Sequence, residues 1–436
     1  MTRILILGGG FAGVYAALEM ERKLARRKDV EITLVNRENF ILFTPMLHEV
    51  AASDLHLTHI VNPLRKMLRH VKFLQASVKS IDCAARCVTV SHGSDSHSHD
   101  LPYDHLVIGL GSTTNFFNLP GLEKHSLTMK TLGDAIRLRN LLIERLEESE
   151  GECAAGSRQG MLTVVVAGGG FSGAETVAGI NDFLRESVRF YPHLRENAVR
   201  VVLVHPGSVI LPELGPELGA YAQQKLKERG VEILVNTRVL RADAAGVDLS
   251  DGQRIQTHTI VWTAGTSPSS LLATLPFEKE KGRLKTDPHM RVLGTQDVWA
   301  LGDCASIPDL DTGTTFAPTA QNAIRQGVVL ARNVQASIDN GTLKPFRFRT
   351  LGLLAAIGRR TGVANILGLQ FSGFVAWFLW RTVYLSKLPG VEKKVRVALD
   401  WTLDLVFTKD IVQFQTQAAE TLTTAEHEAL IAAGHV

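Results

Sequence analysis

A chain of 436 residues is too long for one ordinary hydrophobic core and reads as two or three domains. Hydrophobic residues at 45%, charged residues at 21% and 37 glycines give the profile of an ordered α/β protein, and a net charge of +3 is too small and too mixed for a nucleic-acid footprint. Four cysteines argue against a disulfide scaffold.

At the N-terminus, Met1-Thr2-Arg3 runs directly into an apolar strand, which leaves no room for a signal peptide and makes a cytoplasmic enzyme the expectation. Ile4 to Leu7 is a continuous apolar run of the kind a buried parallel strand shows. Gly8-Gly9-Gly10-Phe11-Ala12-Gly13 follows, then a helical stretch from Val14 to about Arg27 and a strand from Glu31 to Val35. That is a βαβ unit with G-x-G-x-x-G at its turn. The first glycine makes the turn, the second lets backbone approach a pyrophosphate, and the third allows close helix packing. Anionic oxygens then sit on the amides of the helix N-terminus.

Phe73 to Cys87 reads as strand, turn and strand, continued by Val88 to Ser91. The polar stretch His92 to Asp100 holds three histidines and two aspartates and reads as a hairpin loop more readily than as a metal site, and Cys83 and Cys87 form a lone C-x3-C with no second pair; no metal is expected. Tyr103 to Gly111 is a strand ending in glycines, and Glu147 to Gly160 reads as a surface connection. The first grammar then returns: a strand Leu162 to Val166, the turn Gly168-Gly169-Gly170-Phe171-Ser172-Gly173, a helix opening at Ala174 and a strand Val199 to His205. One such motif is weak evidence. Two, each between a strand and a helix, are strong evidence.

Strands at Val231 to Val235 and Thr259 to Thr263 follow, the latter ending in Ala264-Gly265, with a hairpin around Asp251-Gly252 between them. Val298 to Asp303 is again strand, glycine and acid, and Thr319 to Gln335 is helical. The return to strand and helix implies that the second dinucleotide domain is inserted into the first. The expected fold is thus α/β, with two Rossmann-like domains: residues 1–120 and 290–345, then 121–289, with 346–436 as a C-terminal region. In that region Thr361 to Trp380 carries no formal charge, while Arg381, Lys387 and the tract Glu392-Lys393-Lys394-Val395-Arg396 follow it. The first half of the uncharged run reads as strand and turn. A helix near Phe371 to Leu388 is expected to present Phe374, Trp377, Phe378 and Trp380 to a membrane surface. The competing readings are a buried dimer or core helix and a true span.

These landmarks resemble the type II NADH dehydrogenase family, the single-chain NADH:quinone oxidoreductases that pump no protons. Beside the two glycine turns they are Phe43-Thr44-Pro45-Met46-Leu47-His48-Glu49-Val50-Ala51, Val261-Trp262-Thr263-Ala264-Gly265, Gly302-Asp303-Cys304, Pro318-Thr319-Ala320-Gln321-Asn322-Ala323 and Ile357-Gly358-Arg359. The resemblance implies non-covalent FAD, held by Gly8, Gly10, Phe11, Ala12, Gly13, Asn36, Arg37, Gly111, Asp303, Ala320 and Gln321. It implies NADH as substrate at Gly168, Gly170, Phe171, Gly173, His205 and Gly265, with Glu175 near the nicotinamide. It also implies a quinone acceptor near Gln321, attachment to the cytoplasmic face of the cell membrane without a span, and compatibility with a homodimer.

Three positions depart from the family pattern. Asn36 replaces the acid at the end of the second strand, His205 stands where an NADH-preferring unit carries Asp or Glu, and Arg325 replaces the second glutamine of the helix after Thr319. Asn36 can still bond a hydroxyl, while the loss of the carboxylate at 205 lowers repulsion of the NADPH 2′-phosphate. Arg325 can donate to a quinone carbonyl or pair with an acid and narrow the pocket. The catalytic set expected is therefore Glu175, Gln321 and Arg325. Rival readings are a soluble NAD(P)H-dependent reductase passing electrons to a protein, a thiol-based flavoenzyme, and a dinucleotide-binding protein without turnover.

Overall fold

In the computed structural model, which describes residues 1–24, 26–93, 97–152 and 154–414, two five-stranded parallel sheets form the frame. The first runs in the order Lys72–Gln75, Val30–Asn36, Thr2–Leu7, His105–Ile108, Val298–Ala300. The second runs Val231–Leu234, Arg200–Val204, Thr163–Ala167, Thr259–Trp262, Leu127–Thr128. In each sheet the third, second, first and fourth strands of the unit lie side by side. Helices cover one face of each sheet and a three-stranded antiparallel meander packs on the other, residues 77–102 at the first and 239–256 at the second. Ile4 to Leu7 and Thr163 to Ala167 are therefore buried along their length, which is why they do not alternate. The strand order reverses at the central strand of each sheet, and a crevice opens at that strand's carboxyl end. Both glycine turns lie there.

The insertion is visible as a ribbon. Ser112–Thr114, leaving the first sheet, pairs antiparallel with Thr266–Pro268, which leads back toward Val298–Ala300. Everything in the second sheet lies between those two passes.

The C-terminal region begins with a three-stranded antiparallel meander, Gly352–Ala356, Gly362–Ile366 and Leu369–Ser372. The helix Gly373–Lys387 packs on it so closely that a side chain at Gly362 would lie 2.8 Å from the Trp377 amide. The strand-and-turn reading of the first half of the uncharged run and the helix of its second half both hold. This helix has 15 residues, about 22 Å at 1.5 Å per residue, against about 30 Å of bilayer hydrocarbon. Among the described residues no helix is long and apolar enough to cross a membrane.

Three local expectations are corrected. The stretch 147–160 is mostly helical: Leu132–Gly151 continues through it and Ala155–Met161 follows, because Leu142, Leu146 and Ser149 pack inward and the glutamates favour helix. The His-rich stretch is a strand hairpin, Cys87–His92 against His97–Pro102, with its tip outside the described residues. Its three imidazoles share one face because His92 pairs with His97 and His99 is two residues on. Thirdly, Trp377 (7% exposed) and Trp380 (0%) are buried, and Arg381 is wedged between the rings of Trp377 and Trp401 and is not at a charged margin. The apolar face the helix presents outward is Phe374, Val375 and Phe378.

After the last helix, Val391–Asp404, the chain doubles back across both domains. The buried Lys409 ammonium pairs with Asp54 and donates to the Ala52 carbonyl at 3.0 Å. Arg139, on the 132–151 helix, donates to Ser53 Oγ at 2.6 Å and to the Val412 carbonyl at 2.6 Å, and Asn140 exchanges two hydrogen bonds with the Phe414 backbone. Replacing Lys409 with Met strands the Asp54 carboxylate without its cation, at a cost of about 3–5 kcal/mol at neutral pH. Thermal unfolding at pH 8 should show a large drop for Lys409→Met and a smaller one for the Asp54→Asn/Lys409→Met pair; equal drops would mean the ion pair is not what holds the tail.

Candidate active site at two glycine turns

Gly8 adopts φ +102°, and a Cβ there would lie 2.2 Å from the Gly109 carbonyl oxygen. At Gly13 a Cβ would lie 1.9 Å from the Gly8 oxygen. These two glycines are demanded by backbone packing. Gly10 is different: a Cβ there meets nothing within 4 Å, so the space in front of it is open. The first helical bond runs from Val14 N to the Gly10 oxygen at 3.0 Å, leaving the amides of residues 11–13 without intrahelical acceptors.

The second turn repeats this geometry. Gly168 has φ +113°, a Cβ at Gly173 would lie 1.7 Å from the Gly168 oxygen, and Gly170 again faces open space. The third-glycine packing and the open second glycine are the cradle a pyrophosphate needs, and both copies fit one.

The two departures from acid at the second strand have a shared structural answer. Gly9 N donates to Asn36 Oδ1 at 2.8 Å, and Gly169 N donates to His205 Nδ1 at 3.1 Å. Each side chain serves as the acceptor that satisfies the middle of the glycine turn. His205 must therefore be neutral with its proton on Nε2, and its burial lowers its proton affinity in the same direction.

Asp303 lies in the short turn Gly302–Cys304 after the last strand of the first sheet. Its Oδ2 accepts from Ser112 Oγ at 2.6 Å, and that hydroxyl accepts from Lys130 Nζ at 2.9 Å. Burial lowers the Lys130 pKa, opposed by the Asp303 charge. The neighbouring helix, Ala320–Ile338, is capped by the Thr319 hydroxyl, which accepts from Asn322 N. Its buried Gln326 accepts from Gly302 N at 2.9 Å and so ties this helix to the Asp303 turn. Gln321 opens the helix and reaches toward the Gly352 carbonyl at 3.5 Å. Arg325 folds back, donating to the Gln321 carbonyl at 2.9 Å with its guanidinium 4.0 Å from the Phe348 ring centre, and it has no acidic partner among the described residues.

Glu175 is buried where the second glycine helix, Phe171–Ser187, meets the C-terminal region. Its Oε1 accepts from Trp380 Nε1 at 2.9 Å and from Ala356 N at 3.2 Å, while Oε2 lies 3.7 Å from His48 Nδ1. Burial pushes its pKa up to about 8, only partly offset by the two donors, and burial drives His48 down to about 3. At neutral pH His48 is thus neutral and Glu175 largely protonated. A second buried carboxyl, Glu49, is likewise pushed up to about 8 by burial and accepts from Trp401 Nε1.

The structure thus gathers Gly8 to Gly13, Asn36, Gly111 and Asp303 at one crevice, and Gly168 to Gly173, Phe171 and His205 at the other. Gly265 lies at the crossover beside Asn115, Ala320 and Gln321 at the start of their helix, and Glu175 at the junction. Arg37 is not gathered in: it is exposed and pairs with Glu38. Sequence reasoning missed Ser112, Lys130, Gln326 and His48 as site residues. His48 lay inside a quoted motif and Gln326 directly follows Arg325, where a second glutamine was expected, whereas Ser112 and Lys130 carried no local pattern. Of the described cysteines none is paired, and burial pushes the Cys304 thiol up to about 12, so it is no thiolate nucleophile at neutral pH.

Two parallel sheets with paired pyrophosphate cradles and an acid at the first define a two-dinucleotide oxidoreductase, and residues 2–327 match the pyridine nucleotide-disulphide oxidoreductase family. Residues 351–410 match the NDH2 C-terminal domain. The chain is 31% identical to a probable NADH dehydrogenase of Dictyostelium discoideum, over 94% of this chain and 91% of that one. It is 29% identical to a type II NADH:quinone oxidoreductase of Mycobacterium tuberculosis (93% and 89% covered) and 32% identical to a demethylphylloquinone reductase of Synechocystis (92% and 95%). A Plasmodium falciparum NDH2 structure in complex with NADH superposes with a TM-score of 0.87 at 21% identity, covering 94% of this chain and 99% of that one. The chain belongs to the type II NADH dehydrogenase family. It is an oxidoreductase that takes a hydride from NADH, through a flavin-binding fold, to an acceptor.

Two outcomes follow from this geometry. Gly10→Val should fold, since its Cβ meets no protein atom, yet be purified without flavin; Gly13→Ala should fail to give soluble protein because of the Gly8 oxygen. Flavin absorbance and circular dichroism separate the two cases. Glu175 titrates near 4.5 when unfolded and near 8 when folded, so wild type loses stability as pH rises between those values. Glu175→Gln cannot ionise, and its melting temperature should rise relative to wild type from pH 5 to pH 8.5; a constant difference would contradict the raised pKa.

Proposed function

We propose that the enzyme carries a hydride from NADH to non-covalently bound FAD and passes two electrons on to a quinone in the membrane, without pumping protons. Bound flavin supplies the chemistry, accepting two electrons as a hydride and releasing them to a second substrate. The protein's part is binding, orientation and control of protons. The amides after Gly10, with Asn36 and Asp303, hold the pyrophosphate and hydroxyls of FAD; those after Gly170 hold the NADH phosphates. Glu175 stands on the nicotinamide side as a neutral acid. Because Oε1 takes two N–H donors, its proton resides on Oε2, facing His48. The Gln321 amide donates to a quinone carbonyl, and Arg325, resting on Phe348, flanks the approach.

The observation that carries the quinone reading is the two-sidedness of the Gly373–Lys387 helix. Phe374 and Phe378, each 58% exposed, face outward, while Trp380 on the opposite side touches Glu175. The next helix adds an exposed stripe at Val391, Val395, Leu399 and Leu403, followed by Val406 and Phe407. Charged residues occupy positions between them, so the stripe is one face of an amphipathic helix. So large an apolar surface suits a lipid headgroup boundary, and a lipid-soluble acceptor would need cross only one helix to reach the site. The quinone named for the M. tuberculosis relative and the demethylphylloquinone named for the Synechocystis one support the same acceptor class. Peripheral attachment at the cytoplasmic face of the cell membrane follows from this reading.

Burying two phenylalanine side chains contributes about 3–6 kcal/mol before ordering costs, enough for reversible adhesion. Phe374→Ser with Phe378→Ser should therefore release the enzyme from liposomes. The variant should keep flavin and NADH oxidation with a small soluble acceptor, and lose activity with a long-tailed quinone. Retained activity with that quinone would reject entry from the lipid side. We propose NADH as the preferred donor with NADPH accepted, since His205 brings no fixed negative charge. His205→Asp should lower kcat/KM for NADPH at least about tenfold more than for NADH; an equal effect on both would remove position 205 from the 2′ site.

A further inference from the structure

Glu175 is held almost entirely from one side. Both hydrogen bonds to its Oε1 come from the C-terminal region: the Ala356 amide from the meander and the Trp380 indole from the helix with the exposed phenylalanines. Trp380 is itself locked. Its ring is fully buried, meets the His48 ring edge-on at 5.6 Å, lies 4.7 Å from the Tyr384 ring and 6.2 Å from that of Trp401. Tyr384 continues the contact to Phe43, and Phe43 to Phe11, the residue after Gly10. An unbroken set of rings thus joins the first glycine turn to the carboxyl beside the second.

An indole offers a single donor and no acceptor, so its hydrogen bond can be made only to Glu175 Oε1 in this packing. Leaving that N–H unbonded in a fully buried position would be costly, which makes the contact stiff. From this geometry we propose that Trp380 is a positioning residue for Glu175, so that the helix with the apolar outer face also fixes the orientation of the carboxyl on the nicotinamide side. The proposal rests on Glu175 standing at the hydride-donor side of the site. The groups facing Glu175 are His48 from the 47–51 helix, Trp380 and Tyr384 from the C-terminal helix, and the Ala356 amide. His48 is buried and neutral and Tyr384 is held protonated by burial, so the indole is the one side-chain donor that favours the ionised carboxyl.

Trp380→Phe keeps a six-membered aromatic ring at the position and removes the indole donor together with the smaller ring's volume. The test is pH-difference infrared spectroscopy on the flavin-loaded enzyme, following the protonated-carboxyl band that disappears in Glu175→Gln. In Trp380→Phe the midpoint of that band should move up by about one pH unit, equivalent to about 1.4 kcal/mol. The turnover number kcat should fall about tenfold while KM for NADH stays within about twofold, as expected when binding is intact and a transition-state contact is misaligned. An unmoved midpoint in a folded, yellow variant overturns the proposal. Should Trp380→Phe not fold, ultraviolet resonance Raman of Glu175→Leu, which keeps the indole, reads the same bond from the other side. The N–H-sensitive band of one tryptophan should shift to its unbonded position, and an unchanged spectrum overturns the proposal. The reading beneath it fails separately: unaltered turnover in Glu175→Gln would remove Glu175 from the reaction, while the Trp380 midpoint shift would still stand as a positioning effect.

Discussion

At each glycine turn the helix and the strand before it approach so closely that a carbonyl oxygen occupies the place of a missing side chain. The oxygen of Gly8 sits where a Gly13 Cβ would be, and that of Gly168 where a Gly173 Cβ would be. This contact seats a helix N-terminus over the carboxyl end of a central strand, and it leaves the middle glycine's N–H in need of an acceptor. Asn36 and His205 answer that need with different atoms in the same place. The positions usually credited with ribose recognition thus also close the turn. That is why an uncharged residue at each is compatible with the fold: what the turn requires is an acceptor, and a carboxylate is only one way to provide it.

The two dinucleotide domains are joined covalently by little more than the 112–114 and 266–268 ribbon. They pack directly through the 47–51 helix against the 132–151 and 171–187 helices, and the C-terminal region adds further ties. Its tail ties the 52–54 loop to the 132–151 helix through Lys409, Arg139 and Asn140. Its helices bring indoles onto Glu175 and Glu49, two carboxyls that burial keeps largely protonated at neutral pH. Burying a neutral acid with a hydrogen-bond donor avoids the heavier cost of burying an isolated charge. Two of the buried charges are paired, Lys409 with Asp54 and Arg381 near Asp404 between two tryptophan rings, while buried Arg139 is satisfied by Ser53 Oγ and backbone carbonyls. The region with the exposed phenylalanines is therefore also the wall of the candidate site. An outer face of phenylalanines and an inner face of hydrogen-bonded tryptophans occupy one helix of 15 residues.

How far the chain could be read without coordinates differs from element to element. The strands at Ile4 to Leu7 and Leu162 to Val166, the glycine turns after them and the insertion of one domain in the other were legible, because a parallel strand buried on both faces must be apolar and a pyrophosphate turn must be glycine. Those demands act within a dozen residues, so the sequence carries them openly. The helix from 147 to 151 was not legible, since Ser149 and Gly151 suggest a loop despite the helix-favouring glutamates, and inward packing of Leu146 and Ser149 decides the matter. The C-terminal helix was found, but its faces were not. All four aromatic residues from Phe374 to Trp380 looked equivalent as apolar side chains. Which of them turn inward depends on the meander beneath and on a carboxyl 205 positions away in the chain.

The amino-acid sequence by itself therefore determined the two cradles, their order and the class of cofactor they take, since those follow from local backbone geometry. Only the tertiary structure decided that Arg325 rests on Phe348, that Arg37 stays in solvent, that Gln326 anchors the Asp303 turn, and that Trp380 reaches Glu175. Each of those depends on side chains meeting from distant parts of the chain in a common buried space, where desolvation and the geometry of single hydrogen bonds, neither visible in residue spacing, choose the partners.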